Sequence, residues 1–234
     1  MSHLAGAIIF LALSISLIKR GVLAAKQDSP TEGKRRVFSL CVFAFAAVLL
    51  LSMSGAFHLL PSGTPERAVL RRLDHAAIFI LIAGTYTPIH TILFRRGWRW
   101  GMLLLVWSLA VASVTLKTIF FASVPDWLGL TLYVGMGWIG LFSMIKLSST
   151  RGVRFIFPLV AGGIVYTVGA IIELANIRPL VASVIRAHEL FHVAVLGGLG
   201  LHWRFVTIIA STPFTLDSNT SETSSSQRTP RAAR

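Results

Sequence analysis

Five residues in otherwise apolar stretches could do chemistry together: Ser54, His58, Asp74, His188 and His192. Ser54 and His58 are four apart, as are His188 and His192, so each pair shares one face of a helix. Imidazole is a good zinc ligand, and an i, i+4 pair presents two ring nitrogens to one ion. His188 and His192 form such a pair, and His58 supplies a third ligand from another helix. Three protein ligands leave a fourth position for water, the pattern of a catalytic rather than a structural zinc site. Asp74 is then placed to hold that water or to act as general base. Ser54, one turn before His58, can hydrogen-bond the water, Asp74 or a tetrahedral oxyanion. These are parts for metal-assisted hydrolysis of an amide or ester.

Blander roles compete for the same residues. An isolated His-x-x-x-His pair also arises from helix packing. Asp74 follows Arg71 and Arg72 and can form an ion pair with them. A serine in an apolar helix often bonds back to its own backbone or packs against a neighbour. The letters of His188-Glu189-Leu190-Phe191-His192 also match the zincin motif, which would make Glu189 the base. The membrane setting and its place off the shared histidine face speak against that. His3, His202 and Glu173 read as interfacial. His90 lies at the opposite end of its span from Asp74. His75 points about 100° away from Asp74 on an ideal helix. Lys117 reads as snorkelling towards the metal end. Trp98, Trp100, Trp127 and Trp203 suit an interfacial belt.

The elements that must position these groups are membrane helices. Of 234 residues 54% are hydrophobic and 13% are charged, about half the ~25% charge of a soluble domain. That composition excludes most soluble enzymes, disordered chains and disulfide scaffolds. The single cysteine, Cys41, allows neither a disulfide framework nor a thiolate metal site. The net charge of +13 fits basic loops facing anionic lipid, and no nucleic-acid partner is expected. A span needs about 20 apolar residues. Seven are predicted: Leu4 to Ile18, Val37 to about Leu60, Leu73 to Phe94 with a kink at Pro88, Trp100 to Phe121, Trp127 to Ile145, Val153 to Leu174, and Ala187 to Ile209. The expected fold is an all-α, polytopic seven-transmembrane-helix bundle over residues 1–209. Residues 210–234 read as a disordered Ser/Thr/Arg tail. Ser54, His58, Asp74, His188 and His192 all fall at one end of this bundle. Counting Lys and Arg by loop puts the linkers after spans one, three and five in the cytoplasm. The N-terminus and the five residues are then on the outer face.

Several stretches resemble the bacterial haemolysin III family. They are Arg72-Leu73-Asp74-His75 followed by Ile82-Ala83-Gly84-Thr85-Tyr86-Thr87-Pro88, then Gly163 to Ala170, and His188 to His192. Ser54-Gly55-Ala56-Phe57-His58 resembles the Ser-x-x-x-His element of the wider progestin and adiponectin receptor family. The resemblance implies a seven-helix bundle with zinc held by His58, His188 and His192, Asp74 against the zinc-bound water, and Ser54 behind it. It also implies residence in the bacterial inner membrane. Acidic and Asn residues that usually precede span one in the family are missing, as a truncated start would explain. In the adiponectin receptors the zinc site lies towards the cytoplasm, whereas the charge count here places it outside.

Three functions follow as expectations. The first is an intramembrane zinc hydrolase with a membrane lipid amide, ceramide-like, as substrate, by analogy with adiponectin receptors and alkaline ceramidases. The second is a membrane sensor or homeostasis protein in which zinc is structural. The third is an ion-conducting or lytic protein. Oligomeric state is not legible.

Overall fold

The computed structural model describes residues 2–175 and 187–212. Among them all regular structure is helical: α1 (Ser2–Ala25), α2 (Pro30–Leu59), α3 (Pro65–Leu93), α4 (Arg96–Ile119), α5 (Asp126–Trp138), α6 (Leu141–Arg151), α7 (Val153–Leu174) and α8 (Ala187–Ala210). Seven spans are long and apolar enough to cross a membrane, with α5 and α6 together forming the fifth. The seven-helix membrane bundle is therefore the fold. The tail beyond Thr212 lies outside the described residues.

Three elements differ from expectation. The first span does not stop at Ile18 but runs to Ala25 through Lys19 and Arg20, because both are good helix formers whose stems can lie along the helix. α3 begins at Pro65 rather than Leu73. Thr64 caps it by accepting from the Arg67 amide at 3.3 Å, and Pro65 occupies the first turn, where its missing N–H costs nothing. Two extra helical turns thus carry Arg67, Arg71 and Arg72. α3 continues past Pro88 as one helix. The fifth span breaks after Trp138. The Tyr86 hydroxyl of α3 sits 3.0 Å from the Met136 carbonyl and 2.8 Å from that of Gly137. It takes hydrogen-bonding capacity that the helix ladder would use. At Gly140 a Cβ would meet the Tyr86 hydroxyl at 2.8 Å, so the break is shaped around that side chain.

The apolar side chains divide by solvent. Leu17, Leu40, Phe43, Leu51, Leu199, Phe205 and Ile209 fill a core between α1, α2 and α8. Others point outward on every side. Leu104 is 71% exposed and Phe38 69%, values that a protein in water would not sustain over a continuous surface. Trp98, Trp100 and Trp127 are exposed, as a belt requires. Trp203 is not part of it. It is buried, with its ring 5.0 Å from Phe10 and 5.1 Å from Phe43, because α1 and α2 both pack on this face of α8.

The end of the bundle away from the histidines is fastened by ion pairs of two buried arginines. Arg36, fully buried, donates to Asp28 at 2.7 Å and 3.1 Å, and to the Ile209 and Ala210 carbonyls at the C-terminus of α8. Arg99 donates to both oxygens of Glu32 at 3.0 Å. Both arginines lie between the predicted spans in sequence, yet they act as internal struts. Removing one member of a buried pair typically costs 3–5 kcal/mol, because the other charge is stranded. Arg36→Met is expected to destabilise the detergent-purified protein by about 3–5 kcal/mol, read as a lowered thermal midpoint. Combining it with Asp28→Leu should recover most of the loss. Equal midpoints for the single and double variants would refute the strut role.

Candidate metal centre

Four helices supply the histidine cluster and the carboxylates beside it. α2 brings Ser54 and His58, α3 brings Asp74, α8 brings His188 and His192, and α7 brings Glu173. One ring nitrogen from each of His58, His188 and His192 lies within 4.8 Å of the others. The two Nε2 atoms of His58 and His188 are 3.2 Å apart. Tetrahedral bonds of about 2.05 Å place neighbouring ligand nitrogens roughly 3.3 Å apart. This pair therefore already sits at the edge length of a metal tetrahedron. The donor set also fits. Two neutral imidazoles facing each other through nitrogen can share at most one proton, whereas a cation between them satisfies both lone pairs.

The orientation of these rings is fixed from behind. His188 Nδ1 is 3.1 Å from Glu173 Oε1, a carboxylate–histidine contact of the kind that turns the opposite nitrogen towards a metal. By its place at the end of its span Glu173 is expected at the interface. Its role emerges only when α7 and α8 pack side by side.

His3 is the largest correction. Read as interfacial, it is buried at 4% exposure. Its Nδ1 lies 2.7 Å from Ser54 Oγ, and its Nε2 lies 3.3 Å from the His192 carbonyl and can donate to it. Its ring stacks on that of His192, with centroids 3.9 Å apart. α1 reaches this depth because residue 55 is glycine. A Cβ there would meet the backbone of Leu4 at 3.2 Å, so a larger residue would hold His3 away from Ser54. Asp74 is buried beside Ser54 and close enough to His188 for their charges to interact. One contiguous polar network thus runs from His3 through Ser54 to Asp74 and the three histidines.

These groups line one end of a cavity of about 1040 Å³, at the top of the ~300–1,000 Å³ range of ligand pockets. It continues past Leu50, Ile78, Ile82, Ile89 and Val195 to His90 and His202. His202 is therefore not interfacial. It faces the Leu159 carbonyl at 3.1 Å inside the bundle. His90 is fully buried, with Ser143 Oγ 3.2 Å away. Lys117, expected to snorkel, is 1% exposed and lines the same cavity. His75 faces Phe121, with ring centroids 5.4 Å apart. Glu189 is exposed, which removes the support for a zincin-type base.

Comparison with known proteins agrees with this architecture. The sequence profile of the haemolysin-III related family matches residues 1–203. The chain belongs to the haemolysin III family. It is 32% identical over 198 residues to Hemolysin-3 of Bacillus cereus, covering 85% of this chain and 84% of that one. It is also 32% identical over 163 residues to the Hemolysin-3 homolog of Bacillus subtilis strain 168, covering 69% and 72% respectively. No solved structure matches it. This haemolysin III family member is an integral, multi-pass membrane protein with a histidine cluster that could hold a metal ion.

His3 offers a direct test of the network. Groups that orient metal ligands typically contribute 10–100-fold in affinity when removed. His3→Leu is expected to weaken zinc binding by roughly that factor in chelator competition. His3→Gln, whose amide can still donate to His192 and meet Ser54, should recover part of it. Unchanged affinity in His3→Leu would make the contact mere packing.

Proposed function

We propose that this chain is a zinc-dependent hydrolase of a lipid amide, ceramide-like in carrying a long acyl chain, working in the bacterial inner membrane. One observation carries the reading: three imidazole nitrogens converge within 4.8 Å beside a buried carboxylate, at the end of a long, largely apolar cavity inside the bundle. Three imidazoles without a thiolate favour zinc among common ions, and they leave room for a further ligand. When bound, zinc polarises the amide carbonyl and acidifies a water molecule.

The chain's own residues do the rest. Asp74 takes a proton from the attacking water as its oxygen bonds to the carbonyl carbon. It returns that proton to the amide nitrogen as the C–N bond breaks, releasing a carboxylic acid and an amine. Ser54 lies against the Asp74 carboxylate and holds it in place. His3 fixes Ser54, and Glu173 fixes His188. The apolar walls keep bulk water away, which strengthens each of these electrostatic contacts.

A second reading has its own support. The histidines come from α2 and α8, which touch each other little, so an ion shared between them would also act as a clamp. The test is release of fatty acid from a radiolabelled C16 lipid amide by zinc-replete protein in non-ionic detergent. Hydrolysis should vanish with chelator and return with zinc. Metal-replete protein that cleaves no lipid amide would leave the clamp as the function of the ion.

A further inference from the structure

We propose that the amine half of the substrate carries an anionic headgroup, a carboxylate or phosphate, held by the arginines at the start of α3. The inference rests on the lipid reading of the cavity and names the class of lipid. Arg67, Arg71 and Asp74 are spaced by four and three residues and share one face of α3. The same face continues through Ile78, Ile82 and Ile89, and every one of these residues lines the cavity. From Arg67 to Ile89 the helix rises about 33 Å, close to the ~30 Å of a hydrocarbon core. Along this stripe the arginines come before Asp74 and the apolar residues after it. An amide cleaved at the level of Asp74 would send its acyl chain along the apolar side. Its amine half would then lie among guanidinium groups.

The state of those guanidinium groups supports an anion. Arg67 donates to the Leu60 carbonyl and lies 4.6 Å over the Phe57 ring. Arg71 lies 5.2 Å and Arg72 5.8 Å over the ring of Phe121, and the Lys117 amine lies 5.5 Å from the same ring. Arg72 adds one long contact, 3.4 Å, to the Thr118 carbonyl. No carboxylate among the described residues pairs with any of the three. At the other end of the bundle Arg35, Arg36 and Arg99 each have one. Basic groups drawn together over one aromatic ring repel one another, and an anion among them removes that cost. Stacked arginines keep their N–H edges free for bidentate bonds to carboxylate or phosphate.

The experiment measures binding rather than turnover, using probes without an amide. Tritiated hexadecyl phosphate and tritiated hexadecanol are titrated onto the full chain in non-ionic detergent, with inorganic phosphate as competitor. Hexadecyl phosphate should bind at least tenfold more tightly than hexadecanol. Arg71→Gln combined with Arg72→Gln should weaken it on the order of 10–100-fold and leave hexadecanol unaffected. Both side chains are exposed, so the variant should fold. Unchanged helical circular dichroism and zinc content verify this, and Arg71→Lys provides a milder substitution. Equal affinity for the two probes overturns the proposal, as does full affinity in the arginine variant, which would place the phosphate on the metal. Displacement by inorganic phosphate at equal concentration also overturns it, because the anion alone would then be the ligand. Protein that binds the anionic chain through these arginines yet cleaves no lipid amide keeps the anionic-headgroup site and removes both the hydrolase reading and the assignment of that headgroup to an amine half.

Discussion

A His188→Ala, His192→Ala variant purified without chelator should carry less than about a tenth of the wild-type zinc, measured by mass spectrometry of metal content. Each ligand contributes a bond that water replaces poorly, and a structural-type zinc site totals roughly 10–16 kcal/mol. Losing two of three imidazoles leaves His58 alone, which binds no better than a surface histidine. Wild type should carry about one zinc per chain, as one tetrahedral centre requires. The variant should still insert, because the seven apolar spans and the ion pairs at the opposite end are untouched. Equal metal in wild type and variant would mean the ion sits elsewhere. No metal in either would remove zinc from every reading of the protein.

Asp74→Asn should abolish hydrolysis while leaving zinc in place. General acid–base catalysis contributes about 10²–10⁴ in rate, and asparagine keeps the shape of aspartate without its proton-accepting charge. Asp74 is not among the clustered ligand residues, so metal content should equal that of wild type. The pairing of the two readouts carries the argument. Lost zinc together with lost turnover would assign Asp74 to metal binding. Retained turnover would move the proton chemistry to another group. Ser54→Ala should cost less, since in the proposed mechanism the hydroxyl acts through Asp74 rather than on the substrate.

The histidine triad was legible in sequence for a physical reason. Helical spacing pairs His188 with His192, and the alternation of spans brings His58 to the same end. The haemolysin III motifs then agreed with that placement. His3 was invisible to this logic because it has no partner at helical spacing. Its contacts lie 51 and 189 residues away, and the glycine that lets it approach belongs to another helix. Glu173 was hidden in the same way, since only packing of α7 on α8 brings it to His188. The break in the fifth span depends on a tyrosine from α3, which no local pattern in residues 126–151 announces. Arg36 and Arg99 look like loop charges in a linear count. Their burial shows that the positive-inside count includes residues retained for internal pairing.

The reach from His3 to His192 has a consequence for biogenesis. Membrane helices are made in order, N-terminal first, so the span carrying His3 enters the bilayer long before the one carrying His188 and His192. Until α8 arrives the nascent chain holds one imidazole of the triad, His58. An ion held by the triad could then be captured only once α8 has inserted. A ribosome-stalled chain ending before α8 should emerge metal-free, and acquisition of the ion would report that synthesis and insertion of the whole bundle are complete.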